Sequence, residues 1–443
     1  MIKLDYRLTW LVAIVLLFSA CSKEPIARSR TSSTDGTTAV NVTADFSRYI
    51  AVGNSITAGY SNGGLYLDGQ KVAYPNIIAE QLKAAGGGSF TSPFFSDAQS
   101  NGSGYLRLIG FNPDGSPNIV PVTDKLAIRG VVNIPGFGDV TLLTKYAGDI
   151  NNYGVPGLKL QQITYAPLGN LNPYFERILP GNAGTNATPY LDFVTAKPYT
   201  FFSCWLGNND ALGYATSGGS DSLTDKSLFA GLYELAISTL TKNGAQGVVA
   251  TVPDVTVLPY LNTVTIKAIV EKIKDAFSGL KFLYISAVDP ATGKYITRAA
   301  TDEDLLGLDF KTSDIGSVMN GIPGYGITIS NPINAKDVLD AAEVARAHDY
   351  VLSYNAIIKA VATAHGLPVF DSFDFLNKVK AGMVVNGVPL NSSFITGGVF
   401  SLDGVHLTPR GNALAADEFI KAINAKYGTN IQLVDISTYK GVL

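Results

Sequence analysis

Tyr49-Ile50-Ala51-Val52-Gly53-Asn54-Ser55-Ile56-Thr57-Ala58-Gly59 is the stretch that decides the fold. Its first four residues are apolar and end at a glycine, which is how a short strand buried on both faces reads. A serine just beyond such a strand stands at the carboxyl edge of a parallel sheet, where open α/β folds keep their sites. Taken alone, Gly-x-Ser after a strand is equally well a turn.

The chain beyond repeats the alternation. Tyr74-Pro75 opens a helical stretch with Ile77, Ile78 and Leu82 on one face, stopped at Gly86-Gly87-Gly88. Tyr199 to Leu206 reads as a second strand. Leu228, Leu232, Leu235 and Leu240 have helical spacing, and Asn243-Gly244 ends that helix. Val248 to Val252 reads as strand, Val344 to His365 as helix with Gly366 as its stop, and Pro368 to Phe370 as strand. The last helix has Thr408 as N-cap, Pro409 in its first turn, and Gly428 after Tyr427. Strands separated by helices predict a parallel sheet covered on both faces. Three stretches break the rhythm: a long irregular tract near 90–150 with a hairpin turn at Phe111–Gly115, a tract near 289–333 opened by Asp289-Pro290, and a hairpin near 380–397 around Asn386-Gly387. They read as insertions in one α/β domain spanning 46–443; a separate second domain is the alternative.

Composition removes several function classes. Among 443 residues, 33 Lys and Arg face 36 Asp and Glu, a formal charge of −3, so no field attracts nucleic acid. Hydrophobic residues at 46% against 16% charged supply a large core and exclude global disorder. Two cysteines make neither a disulfide scaffold nor a Cys-rich zinc site. Three dispersed histidines give no metal-ligand cluster at useful spacing, and Gly86–Gly88 ends a helix where a phosphate loop would open one. Neither metal nor cofactor is expected.

The N-terminus reads as an address. Lys3 and Arg7 precede an apolar run, Leu8 to Phe18, too short to span a bilayer as a helix. It ends in Leu17-Phe18-Ser19-Ala20-Cys21, which resembles a bacterial lipobox. That resemblance implies that residues 1–20 are removed and that Cys21 is lipidated, holding the protein at the cell envelope, on the outer membrane. An ordinary signal peptide with an incidental cysteine is the alternative. Residues 21–45 are Ser/Thr-rich and read as a flexible tether. Cys204, in a strand-like run, reads as a buried small hydrophobe.

A nucleophilic serine needs a base, and the base an orienting acid. His348 lies within a helical run and His365 at a helix end, so both read as satisfied or solvated. His406 lies in Ser401-Leu402-Asp403-Gly404-Val405-His406-Leu407-Thr408-Pro409, where a loop can turn Asp403 and His406 the same way. A surface loop with a chance acid and histidine reads the same. Asn209, in Gly207-Asn208-Asn209-Asp210, can offer a side-chain amide at the same sheet edge. Asn152-Tyr153-Gly154-Val155-Pro156-Gly157 offers a glycine N–H with nothing to block approach. Plain turn chemistry accounts for both equally well.

In order these segments read GNSITAG, NYGVPG, GNND and DGVH. The set resembles the four blocks of the GDSL, or SGNH, hydrolase superfamily. The resemblance implies a flavodoxin-like αβα sandwich with a central parallel sheet. It implies Ser55 as nucleophile with His406 and Asp403 as base and acid. It also implies an oxyanion hole from Ser55, Gly157 and Asn209. Val252-Pro253-Asp254-Val255 is similar to the strand-end Pro-Asp of lipolytic members, and Tyr354-Asn355 extends the likeness. One residue departs from the pattern: Asn54 stands where the family usually has Asp. The activity implied is hydrolysis of an ester, of an acyl lipid or an acylated glycan, through an acyl-enzyme. A lipase- or esterase-like enzyme is expected, with a carbohydrate O-acetyl esterase and a non-catalytic surface binding lipoprotein as alternatives.

Overall fold

A computed structural model describes residues 44–277 and 279–442. The expected signal, Cys21 and nearly all of the tether lie outside the described residues.

Five parallel strands form the central sheet: β1 (Tyr49–Gly53), β2 (Asn152–Gly154), β3 (Phe201–Trp205), β4 (Gln246–Ala250) and β5 (Val369–Phe370), in the order β5-β4-β3-β1-β2. β1 lies between β3 and the edge strand β2, with Val52 opposite Cys204 of β3 and Tyr153 of β2. The four strands expected from apolar runs are there: β1 runs one residue further to Gly53, β3 and β5 are shorter than expected, and β4 is shifted two residues earlier. β2 was read only as a glycine-bearing segment. Its first residue is a buried Asn152, whose amide donates to Thr57 O (2.8 Å) and accepts from the Gly154 N–H (2.9 Å), so polarity hid a strand.

Helices cover the sheet. Toward one side lie α2 (Tyr74–Leu82) and α8 (Pro409–Tyr427), packed on each other; α1 is the single turn Ser55–Ala58. Trp205 meets Tyr74 and Phe419 edge-on, and Phe201 meets Tyr427 the same way. α5 (Lys226–Thr241) packs on α7 (Ala341–Ala364), where Phe229 stacks on Tyr354 at 3.9 Å. α3 (Pro173–Glu176), α4 (Asn209–Thr216) and α6 (Ile266–Ile273) complete the set used below. The leucine spacing located α5 but not its inward face. Leu228 and Leu235 are 46% and 41% exposed, while Phe229, Tyr233, Ala236, Ile237 and Leu240 are buried. The aromatic stripe contributes more apolar area, and it wins the interior.

The tract near 90–150 is not irregular. It forms two antiparallel hairpins, Tyr105–Phe111 with Pro117–Val122 and Ile128–Ile134 with Gly138–Leu143. Each carries a bulge, which masked the strand periodicity. The second is fastened to α3 by Arg129 and Lys145, both 2.7 Å from the fully buried Glu176. The later tract has its own small core running from Ile266 to Val338, so it begins well before the Asp289 turn. Asp304 pairs with both nitrogens of the Arg298 fork and accepts the Ala341 N–H, tying this core to the start of α7. Met383–Val385 and Val388–Leu390 form the short hairpin, with Asn386 and Gly387 both at positive φ as a two-residue turn requires. No described helix is long and apolar enough to cross a membrane.

Candidate active site

The serine is placed by a close approach of backbone. A Cβ on Gly53 would lie 2.0 Å from Thr57 Oγ1 and 2.8 Å from Trp205 O, so only glycine lets α1 fold back against β3. Asn54 caps α1, its Oδ1 accepting the Ile56 N–H at 3.4 Å. Its Nδ2 is buried without a partner among the described residues. An aspartate there would present acceptors alone. Ser55 opens α1, 6% exposed, and its N–H finds no acceptor among the described residues. Gly59, at φ +84, ends the helix after one turn.

The histidine loop is held from both ends. Thr408 accepts the Gly411 N–H as N-cap of α8, and the Ser401 N–H donates to His406 O at 2.8 Å. Between them His406 Nε2 lies 2.8 Å from Ser55 Oγ and Nδ1 lies 3.0 Å from Asp403 Oδ2. With the proton on Nδ1, that N–H donates a hydrogen bond to Asp403 Oδ2 and leaves Nε2 free to take the serine proton. Asp403 Oδ1 also accepts the N–H groups of His406 (2.8 Å) and Val405 (2.9 Å) and the Ser401 hydroxyl (3.1 Å). Burial alone would raise this carboxyl. The neighbouring His406 and these hydrogen bonds outweigh it and hold Asp403 well below the usual carboxylate range. The Tyr60 ring stands 4.7 Å from the imidazole and covers it.

Two further donors face the same space. Gly157 sits at φ +80, and its N–H meets no acceptor among the described residues. Asn209 opens α4 directly beyond β3, and its Nδ2 gives one hydrogen to Leu158 O at 2.9 Å. Its second hydrogen remains for a ligand. Asp210, fully buried, accepts the Leu160 N–H (2.7 Å) and the Thr224 hydroxyl (2.6 Å), so it ties the loop after Gly157 to α4.

Ser55, His406, Gly157 and Asn209 line a cleft of about 480 Å³ whose walls include Tyr60, Tyr165 and Tyr174. Among the described residues, no Asp, Glu, Lys or Arg lines it. Lys159, two residues beyond Gly157, is paired with Asp221 at 2.7 Å. The combination can bind an uncharged carbonyl compound, deprotonate Ser55 and stabilise charge on the carbonyl oxygen.

All five site residues expected from the sequence therefore converge. His348 and His365 stand elsewhere, His348 3.2 Å from Asp254 and His365 2.8 Å from Glu234. Cys204 is buried. Asn355 holds the exit of β4 by pairing with both N–H and O of Val252. Sequence reasoning missed Asn62, Gly63 and Asn172, which touch this machinery through backbone atoms. Asn62-Gly63-Gly64 carries a turn signal, but nothing in it names the distant loop it grips.

A family model described as GDSL-like Lipase/Acylhydrolase matches residues 49–419. No curated protein matches the chain. Among solved structures, the chain is similar to an alpha/beta hydrolase enzyme from the metagenome of Lake Arreo, Spain, at 11% identity over 87% of this chain and 96% of that one, TM-score 0.35. It is similar to a lipase/acylhydrolase from Enterococcus faecalis at 12% identity over 87% and 100%, TM-score 0.33. A mutant acetyl-xylooligosaccharide esterase from Geobacillus Stearmophilus matches at 11% identity over 88% and 98%, TM-score 0.32.

Proposed function

The chain belongs to the GDSL-like lipase/acylhydrolase family, and on that premise we propose that it hydrolyses neutral carboxylic esters through an acyl-enzyme on Ser55. The observation that carries this reading is the continuous relay from Ser55 Oγ through His406 to Asp403, at 2.8 and 3.0 Å, opening on an uncharged cleft. His406 Nε2 removes the hydroxyl proton as Ser55 Oγ attacks the ester carbonyl. Negative charge that develops on the carbonyl oxygen is met by the N–H groups of Ser55 and Gly157 and by the free amide hydrogen of Asn209. As the tetrahedral intermediate collapses, His406 returns the proton to the departing alcohol. Water then enters, loses a proton to His406 and releases the acid, and Ser55 is regenerated.

Charge decides between ester classes. Phosphate-bearing esters such as acyl-CoA bring anions that Lys or Arg normally meet. Among the described residues the cleft supplies none, and its tyrosines and aliphatic side chains suit an acylglycerol or an acylated neutral glycan. We also carry forward lipidation of Cys21 and residence at the cell envelope as proposals resting on the lipobox-like Phe18-Ser19-Ala20-Cys21; Cys21→Ser should abolish labelling by a fatty-acid probe.

The test of the enzyme reading uses p-nitrophenyl acetate and a fluorophosphonate probe. The wild type should turn over the ester and be labelled, and Ser55→Ala should do neither. Absence of wild-type labelling would favour a binding protein on the same fold.

A further inference from the structure

Val155-Pro156-Gly157-Leu158 is a β-turn. The Leu158 N–H donates to Val155 O at 3.2 Å, proline holds the second position, and glycine the third at φ +80. That φ makes it a type II turn; a type I turn would need about −90° there. The two types differ by a flip of the central peptide, the one joining Pro156 to Gly157. A peptide unit is planar and trans, so its C=O and N–H point in opposite directions. The flip state therefore decides whether this turn offers the cleft a donor N–H or a carbonyl oxygen. A carbonyl there would repel the charge that the site must stabilise.

One side chain reads that flip state. Asn172 Nδ2 donates to Pro156 O at 2.8 Å. The same residue caps α3, its Oδ1 accepting the N–H groups of Tyr174 and Phe175, both at 3.0 Å. Those two bonds fix the side chain's orientation, so its amide donor is aimed before any substrate arrives. We propose that Asn172 is a positioning residue that locks the Val155–Leu158 turn in the flip state presenting the Gly157 N–H. The inference rests on the hydrolase reading above, in which that N–H is an oxyanion donor. Holding the carbonyl also polarises the peptide and strengthens its N–H as a donor. Asn209 secures the next stretch of the same loop through Leu158 O, so the oxyanion donors are braced from two sides.

The two jobs of Asn172 can be separated. Serine is a good N-cap but its hydroxyl is too short to reach Pro156 O, so Asn172→Ser keeps the cap and loses the lock. Asn172→Ala loses both. With p-nitrophenyl acetate, both variants should lose kcat by roughly 10- to 100-fold with KM within about twofold. This is less than the 10²–10³ typical for deleting an oxyanion donor outright. Only Asn172→Ala should also lose Tm, by about 2–3 °C. Wild-type kcat in Asn172→Ser overturns the proposal, as does a kcat loss confined to Asn172→Ala, which would make the residue a cap alone. A raised KM at unchanged kcat overturns it too, by making Asn172 a substrate contact. A wild type that neither turns over the ester nor labels at Ser55 overturns the hydrolase reading itself and this inference with it.

Discussion

Gly63 donates its backbone N–H to Asp403 Oδ2 at 2.7 Å, the same oxygen that lies 3.0 Å from His406 Nδ1. The acid of the relay is thus steadied by a segment only eight residues beyond the serine. Asn62 reinforces the grip: its N–H donates to Ser401 Oγ, its Oδ1 accepts the Leu402 N–H at 3.0 Å, and its Nδ2 donates to Tyr66 OH. Both residues sit at positive φ, as a tight reversal requires. Asn62→Ala should leave the buried Leu402 N–H without an acceptor, at a cost of about 1–3 kcal/mol. The expected outcome is a lower Tm in calorimetry together with a reduced kcat, because the Asp403 loop loses its brace. Unchanged kcat would show that the brace serves stability only.

Asp403→Asn separates charge from shape. An amide can fill the same space, but it can donate to Nδ1 and so favour the imidazole tautomer whose Nε2 carries the proton. Nε2 then cannot accept the Ser55 proton. A fall in kcat of about 10⁴ is expected at pH 7, by analogy with the serine-protease example of this substitution. Steady-state kinetics on p-nitrophenyl acetate measures it. A loss under tenfold would mean that His406 acts without Asp403.

Asn209→Ala tests the proposed side-chain oxyanion donor. It removes the amide hydrogen facing the cleft and the bond to Leu158 O. Kcat should fall by about 10²–10³ with a much smaller change in KM, since the interaction strengthens as charge develops. A rise in KM with kcat unchanged would place Asn209 in ground-state binding instead.

The core of the fold was legible because apolar runs of four or five residues, punctuated by Gly and Asn, alternated with capped helices. The Thr408–Pro409 start of α8 is an example where cap, proline and terminal Gly428 agree. Ser55, His406, Asp403, Gly157 and Asn209 were legible only as a set: each alone reads equally well as a turn or loop residue, and it is the order GNSITAG, NYGVPG, GNND and DGVH that singles them out. What stayed hidden depends on long-range partners. Asn152 begins a strand because its amide finds Thr57 O, and Asn172 acts on Gly157 through a neighbour's carbonyl. Neither partner lies near in sequence, and Asn reads locally as turn chemistry. In the 105–143 region the Phe111–Gly115 hairpin turn was legible, but the strands were not, because bulges at Leu108–Gly110 and Ile128–Gly130 break the two-residue period.

Cleft charge predicts selectivity. Compared at equal acyl length, a neutral glyceryl or p-nitrophenyl ester should be hydrolysed with at least about tenfold higher kcat/KM than the acyl-CoA thioester, because among the described residues no Lys or Arg lines the cleft to meet its phosphates. The difference should persist at low salt, where surface charges act most strongly. Equal efficiency on acyl-CoA would overturn the neutral-substrate reading while leaving Ser55 chemistry intact.

Glu343 gives the fold a pH dependence that one substitution should remove. It occupies the third position of α7, where its Oε2 accepts the Asp340 N–H while Asp340 Oδ1 accepts the Glu343 N–H. Burial pushes its carboxyl from the ordinary 4.5 up to about 7; the hydrogen bond and Arg346 oppose the rise, and the charges of Asp340 and Asp304 add to it. Below the ordinary value both folded and unfolded chains hold the proton. As pH climbs from about 4.5 towards 7, the unfolded chain ionises first, so this residue makes the fold progressively less stable; above about 7 the penalty is complete. Glu343→Gln keeps an acceptor for the Asp340 N–H and never ionises. The variant should match the wild type near pH 4.5 and exceed its Tm at pH 8, the difference opening across that window. A variant less stable than wild type at pH 8 would mean that the charge of Glu343 at the start of α7 stabilises the helix more than burial penalises it.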